Sequence, residues 1–509
     1  MHLPIAPPLF PPPAVHYLAN YLQQHGIAAE VVDINTDLYR YNSEMWKLCT
    51  GFSANYNNNK GFHVFINKYF DGMFSFLKKK QIDFIGYSCF DSTYEFFQHF
   101  ISRVKKKIPD AINILGGPDV YERHQLYIPL LSEGTADYIV LKEGEQKLLA
   151  IIKKQELPDG VLSKNNMKWP SNNIFKDTNV LDIKKEAAPL INISNFSKLY
   201  KHTHILPIYA SRGCPANCIY CAHKIFWEGY RSKTPEQVVR EMNLYYRRHH
   251  VKAFYFTDML LNGNPKWLEN FIHLLEINPH KFLWSGYMRI SPQFDDEFLS
   301  RIAGAGCTFM FYGIESNSQN VLNTVKKGTR VDDNETVIPA TSRVAIFVHA
   351  SLILGLPYET FEDMISTLVY VKNNVWNMDH IEIHMFENFM QSPGYDFSKN
   401  YLENYVDKDD AKLKQELYDK YIVPFNMIGN SLLNIQYLFS DNTPLYKKSL
   451  NKYYEMRLAG YTQDQTVNEL KDLFPKVVID NDYCQVMKRI YKAKLSQIGF
   501  LNQIMSQLQ

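Results

Sequence analysis

The chain has 509 residues, too many for one ordinary core and enough for about three units of ~150 residues each. A composition of 46% hydrophobic and 21% charged residues places it among folded globular proteins, away from disordered or collagen-like chains. With 55 basic and 53 acidic residues the formal net charge is +2, so no overall field draws it to nucleic acid or anionic lipid.

The opening, MHLPIAPPLFPPPAV, lacks a basic segment followed by an apolar core and a small-residue cleavage site, and does not read as a secretory signal. From there to about residue 155, strand-like runs alternate with amphipathic ones. The strand-like runs are EVVDIN (30–35), DFIGYSC (83–89), INILGG (112–117) and DYIVLKE (137–143). Between them AVHYLANYLQQHG (14–26) and STYEFFQHFISRVKKKIP (92–109) repeat apolar residues at helical spacing. The KKK runs at 78–80 and 105–107 read as solvated helix ends. Such alternation predicts an α/β, doubly wound (Rossmann-like) domain with helices on both faces of a parallel sheet. Its ligand edge would lie after the strands, at GGPD (116–119) and EGE (143–145).

Periodicity is lost over 156–204, which reads as a linker. Alternation resumes with strand-like runs beginning at Leu206, Ala253, Leu283, Thr308, Val344 and His380, most of them followed by helix-like stretches. Pro235 and Pro265 stand where a first helical turn tolerates proline. Six strand-helix units over 205–395 predict a partial (β/α)6 barrel, with its active site at the carboxyl ends of the strands. Residues 396–509 are polar, Lys- and Tyr-rich and mostly helix-like. No apolar run reaches the ~18 residues of a membrane span, and no solenoid period is visible.

The chemistry concentrates in SRGCPANCIYCAH (211–223), after the first of these strands. Cys214, Cys218 and Cys221 are spaced C-x3-C-x2-C. Thiolates select zinc, copper(I) or iron-sulfur clusters. Four-ligand structural zinc would need another donor, and His223 follows Cys221 more closely than zinc spacings usually allow. An iron-sulfur cubane held by three cysteines instead leaves one iron open. Seven cysteines in so long a chain, three of them clustered, suit a reducing, cytoplasmic location; Cys49, Cys89, Cys307 and Cys484 read as small buried hydrophobes.

This motif, with its RGCP entry, resembles the radical S-adenosylmethionine enzymes. YRSKTPEQVVREM (230–242), FTDMLLN (256–262), GIES (313–316) and LGLPYET (354–360) follow in an order similar to the barrel of the cobalamin-binding subgroup, and the runs of residues 11–144 resemble its cobalamin-binding domain. Where that subgroup usually begins with a KVLLINPP-like strand, this chain opens at MHLPIAPP, so the first strand is expected to be short or clipped.

The resemblance implies a 4Fe-4S cluster on the three cysteines, with S-adenosylmethionine at the open iron. Tyr220 would then pack at the adenine, Asp258 near the amino group, Glu315 and Ser316 near the ribose or methionine part, and Gly355 near adenine. Arg231 and Arg289 stand behind these. Bland roles also fit: Asp258 ending a strand, Gly355 allowing close packing. No D-x-H-x-x-G occurs, so cobalamin would be held without a histidine below cobalt, by groups at Ser88, Gly116, Gly117, Glu143 and Gly144. The implied chemistry is cleavage of S-adenosylmethionine to a 5′-deoxyadenosyl radical, hydrogen abstraction from an unactivated carbon, and methyl transfer from methylcobalamin. Partners would be a small-molecule or peptide substrate and a low-potential donor of flavodoxin or ferredoxin type. Rearrangement or cyclisation without methyl transfer, a radical enzyme without cobalamin, and a zinc-binding protein remain alternatives.

Overall fold

Short apolar strands, each followed by an amphipathic helix, build two mainly parallel sheets in the computed structural model. It describes residues 1, 11–49, 51–90, 93–167, 175–184, 205–388, 392–404, 412, 415–416, 418–430, 442–479 and 481–508. The chain divides into two compact units, residues 1–207 with 225–231, and residues 208–224 with 232–509.

In the first unit β1 (Phe84–Ser88), β2 (Ile112–Gly116), β3 (Tyr138–Val140) and β4 (Val161–Ser163) pair in the order β1-β2-β3-β4. The first three are parallel, while β4 runs antiparallel to β3 with Leu162 opposite Ile139. Successive side chains of a strand point to opposite faces. Ile85, Tyr87, Leu115 and Ile139 accordingly join one core with Phe97, Phe100 and Leu131, whereas Ile114, Val140 and Val161 join another with Ile151. Burial on both faces is what crossover helices impose on a parallel sheet.

Two expectations are corrected here. Residues 30–35 form no extended strand: Asp33 is a single bridge residue and a helix begins at Ile34. The Asp33 carboxylate caps a helix, Ile34–Tyr41, by accepting the Thr36 N–H at 3.1 Å and the Thr36 hydroxyl at 2.7 Å. A local side-chain to backbone bond thus outweighs a strand signal resting on two valines. The described strands run in sequential order, β1 to β4. Also, β4 lies within the stretch expected to be linker: its Val161 and Leu162 are buried, and three residues suffice to pair with β3. The remainder of that linker at 168–174 and 185–204, and the opening at 2–10, lie outside the described residues.

The remaining strands are β5 (Ile205–Ile208), β6 (Ser211–Arg212), β7 (Arg231–Ser232), β8 (Ala253–Phe256), β9 (Leu283–Met288), β10 (Cys307–Glu315), β11 (Phe347–Leu354) and β12 (His380–Met385); the units meet in sequence inside β5 and β7, and the others belong to the second unit. Six of them form a sheet of order β12-β11-β10-β9-β8-β5, parallel from β8 to β12. Helices begin where the sequence places caps. Thr234 and Gln237 form a capping box before Pro235–His249, Asn264 caps Pro265–Glu276, Asp295 caps Asp296–Gly304, and Thr360 with Asp363 caps Phe361–Asn374. One face of the sheet is fully buried: the Phe271 ring lies 5.5 Å from those of Phe256 and Trp284, and the Tyr312 hydroxyl meets Thr341 of helix Val331–Arg343 at 2.9 Å. The opposite face carries Tyr255, Tyr287, Phe311, Ser351 and Glu382, all only partly buried.

Beyond β12 the described chain is helical, including Val423–Asn430, Thr443–Leu458 and Asn481–Leu508. The Asn426 amide donates to the Ile383 carbonyl at 2.7 Å and accepts its N–H at 3.0 Å, satisfying the outer edge of β12 as a further strand would. Below it, buried Asp379 accepts the Val348 N–H at 2.9 Å and the Lys447 ammonium at 2.6 Å. Lys494 is buried beside them and donates to the Met378 carbonyl. No helix among the described residues is long and apolar enough to cross a membrane.

Burial pulls the Lys494 ammonium down to about 7. Between about pH 7 and the unfolded lysine's ~10.4 the unfolded chain therefore binds more protons, and stability rises with pH across that window. Lys494→Met is expected to flatten this rise; denaturant unfolding at pH 7 and 9 measures it, and an unchanged slope would refute it.

Candidate functional site

The cysteine loop leaves the carboxyl end of the second unit's sheet, and both of its ends are fastened. At its base, buried Asp258, just past β8, accepts the Ala210 N–H at 2.9 Å and the Ser211 hydroxyl at 2.5 Å. The Ala210 carbonyl accepts the Lys233 N–H at 2.8 Å. Burial pushes the Asp258 carboxyl up to about 6, and the bonds from Ser211 and Ala210 oppose that shift. Lys233 is itself fixed, its ammonium 3.9 Å from the Tyr209 ring centroid and 2.8 Å from Glu241. Gly213 then turns the chain at φ +78°, a left-handed conformation that favours glycine.

At the far end, the Ile219 N–H donates to the Val325 carbonyl at 3.0 Å, and the Ile219 carbonyl accepts the Gly394 N–H at 2.8 Å. A Cβ on Gly394 would stand 2.7 Å from that of Ile219, so the approach needs glycine. Ile219 is packed against Val321, Val325 and Leu356.

The polar groups around the loop come from successive strand ends. After β9, Arg289 donates to Cys218 Sγ at 3.4 Å while its own N–H and carbonyl are held by the Asn262 amide at 2.9 and 2.8 Å. Burial pushes the Cys214 thiol up, opposed by the Ala216 backbone N–H and the Arg289 charge. At the end of β10 the register with β11 shifts, and Glu315 sits at φ +68°, unusual for a residue with a side chain. Its carboxylate pairs with Lys327 at 2.7 Å, and the same ammonium reaches the Tyr220 hydroxyl at 3.4 Å. A Cβ on Gly313 would come within 2.6 Å of the Glu315 carboxylate and 3.0 Å of the Lys327 ammonium. Burial, then the Glu315 charge, raises the Tyr220 hydroxyl well above its usual range. Lys327 was not singled out from the sequence; it lies at the end of SQNVLNTVKKG (318–328), which reads as a helix-like stretch.

Gly355, after β11, adopts φ +80° and its N–H donates to Glu359. The Ser316 hydroxyl accepts the Ser318 N–H at 3.1 Å and meets Thr367 at 3.2 Å, holding a helix start. The second unit thus gathers Cys218, Tyr220, Glu315, Lys327 and Arg289 into one connected group, while Asp258 and Ser316 are engaged in fastening backbone. Among the described residues, the one set of three metal-ligating side chains whose donor atoms all lie within 4.8 Å of one another does not include the cysteines.

In the first unit, the parallel register places Ser88 opposite Gly116 at one edge, with Glu143 and Gly144 just past β3. Cys89 donates its N–H to the Gly116 carbonyl at 2.8 Å. Gly117, at φ +108°, comes so near Cys89 that an added Cβ would meet its carbonyl oxygen at 2.6 Å. Gly144 precedes helix Glu145–Ile152. The Glu143 carboxylate is paired with Arg231 and its carbonyl with Lys147 at 2.9 Å, so what this edge offers a ligand is chiefly backbone.

Comparison with known proteins gives the same reading of the second unit. Residues 208–371 match the Radical SAM superfamily. The chain is 25% identical over 416 residues to the anaerobic magnesium-protoporphyrin IX monomethyl ester cyclase of Rubrivivax gelatinosus, covering 73% of this chain and 72% of that one. Its fold is similar to two solved structures. One is the cobalamin-dependent S-adenosylmethionine radical enzyme OxsB with aqua-cobalamin bound (TM-score 0.62, 14% identity, 96% of this chain and 77% of that one). The other is the radical S-adenosylmethionine methyltransferase TsrM of Kitasatospora setae with cobalamin and a 4Fe-4S cluster bound (TM-score 0.57, 16% identity, 77% and 72%).

Asp258→Asn replaces an acceptor with an amide donor facing Ala210 N–H or the Ser211 hydroxyl. A loss of about 1–3 kcal/mol in denaturant unfolding is expected, with faster amide hydrogen exchange over residues 210–221. Unchanged exchange there would show that the loop does not hang on this carboxylate.

Proposed function

We propose that this chain, which carries a radical SAM domain over residues 208–371, is a cobalamin-dependent radical S-adenosylmethionine enzyme that methylates an unactivated carbon of a small-molecule or peptide substrate. The observation that carries the reading is the cysteine loop: three thiols on a backbone fastened at both ends, at the carboxyl edge of a parallel sheet. Cys214, Cys218 and Cys221 would hold the 4Fe-4S cluster and leave one iron to S-adenosylmethionine. In this assignment residues 1–155 are the cobalamin-binding domain, 205–395 a partial (β/α)6 barrel and 396–509 a helical domain.

When bound, these groups supply hydrogen-atom abstraction and the replacement of that hydrogen by methyl. The protein's own share is positioning. The Arg289 guanidinium lies against Cys218 and balances thiolate charge. Tyr220, with Lys327 and Glu315, forms a polar wall beside the loop suited to the adenosyl and methionine portions of the cosubstrate. The left-handed turn at Gly355 brings backbone to the same edge without a side chain. Asp258 acts one step back, on the loop that carries the cysteines. At the first unit's edge, Ser88, Gly116, Gly117, Glu143 and Gly144 offer mostly backbone groups, as the absence of a cobalt-ligating histidine motif would require. A low-potential flavodoxin or ferredoxin would supply electrons.

The likeness to a cyclase rather than a methyltransferase over 73% of the chain favours one second reading, a radical cyclisation without net methyl transfer. Product mass separates the two: substrate gains a methyl in the first, and 5′-deoxyadenosine appears without methylated product in the second.

Cys218→Ala is expected to abolish formation of 5′-deoxyadenosine in the anaerobically reconstituted protein, with iron content falling in parallel. Retention of cleavage at the parent rate would overturn the assignment.

A further inference from the structure

The partly buried face of the second unit's sheet carries a row of rings. In register across β9 to β12 stand Tyr287, Phe311, His349 and His380, with successive ring centroids 4.4, 4.1 and 4.3 Å apart. At the β12 end this aromatic row turns abruptly polar. Glu382 and His384 follow His380 at strand period, on the same face. His380 Nε2 lies 3.1 Å from Glu382 Oε1, His349 Nε2 3.3 Å from Glu382 Oε2, and His384 Nε2 3.5 Å from that same oxygen.

Three imidazoles on one carboxylate exceed what a simple hydrogen-bonded pair needs. The buried His349 Nε2 makes no hydrogen bond of acceptable geometry despite its nearness to Glu382, and the buried His380 Nδ1 has no hydrogen-bond partner among the described residues. One donor atom each from His349, His380 and Glu382 lies within 4.8 Å of the others. We propose that His349, His380 and Glu382 form a binding site for a divalent ion of the zinc class, with His384 as an available fourth donor.

The chemistry of the donor set fits. Two imidazoles and a carboxylate are a borderline-soft set that suits zinc, and three protein ligands leave a coordination position open. The His384 side chain is 50% exposed and that of Glu382 26%, so an ion there would be reachable from solvent. The site uses none of the cysteines and is independent of the function proposed above.

The test uses the full-length chain carrying Cys214→Ala, Cys218→Ala and Cys221→Ala, stripped with chelator, so that no metal can reside on the cysteine loop. Equilibrium dialysis is expected to return one Zn2+ per chain, and Co2+ titration one equivalent with visible d–d absorption. Glu382→Gln, nearly isosteric, and His349→Ala in the same background should each weaken binding at least ~10-fold, the scale on which even ligand-supporting groups act, with unchanged far-UV circular dichroism. Zn2+ and Co2+ binding no tighter than in the Glu382→Gln variant would overturn the site and leave an internal His-Glu cluster only.

Discussion

Asp258 is the point on which the cysteine loop depends. Its carboxylate is buried, and both of its oxygens are taken by the two residues that lead into the loop. Burying a carboxylate is costly unless its acceptors are filled, and here they are filled by the backbone and hydroxyl whose positions matter most. The cost fixes where Ala210 and Ser211 stand, and so where the thiols that follow can reach. The Lys233 N–H holds the Ala210 carbonyl from the other side, so the loop springs from a residue pinned at both its amide and its carbonyl.

The second sheet separates its tasks by height and by face. Residues that fasten or flank the cysteine loop come from the carboxyl ends of β8 to β11. The helix-facing side is sealed with Phe254, Trp284, Met310 and Leu352. The remaining face is neither sealed nor polar: it carries Tyr255 and Tyr287, hydroxyls 3.0 Å apart, then Phe311, and then the imidazoles and Glu382. An apolar surface with a few polar groups at its margins is the usual wall of a small-molecule site. Parallel strands make the arrangement possible, because one direction of chain travel delivers every strand-end loop to the same edge.

Much of this was legible in the sequence, and the parts that were not share a cause. The C-x3-C-x2-C spacing, the strands from Ala253 to Met385, the prolines at helix starts and the roles of Asp258, Glu315 and Gly355 as strand-end residues are all local signals. What was missed depends on which strand lies beside which. Lys327 reads only as the end of a helix-like stretch, and its use appears where Glu315, at positive φ, turns to meet it. The alternation His380-x-Glu382-x-His384 is visible in HIEIHM, but His349 joins it only through the register of β11 with β12. The failed strand at residues 30–35 is the opposite case, in which a one-turn signal, Asp33 with Thr36, overrode a regional pattern. Of Asp258 the sequence told the position but not the use: the carboxylate faces the loop backbone.

The bonds on Ile219 bear on when the loop can exist at all. Its N–H waits for Val325 and its carbonyl for Gly394, both far downstream. While the chain is being synthesised, Cys214, Cys218 and Cys221 leave the ribosome long before either partner has been made. For that interval the thiols sit on an untethered segment, open to oxidants and to stray metal ions. In the assignment proposed above, cluster assembly would therefore belong after the β12 region has emerged, and a nascent chain stalled before Gly394 would present the cysteines without the bonds that fasten Ile219.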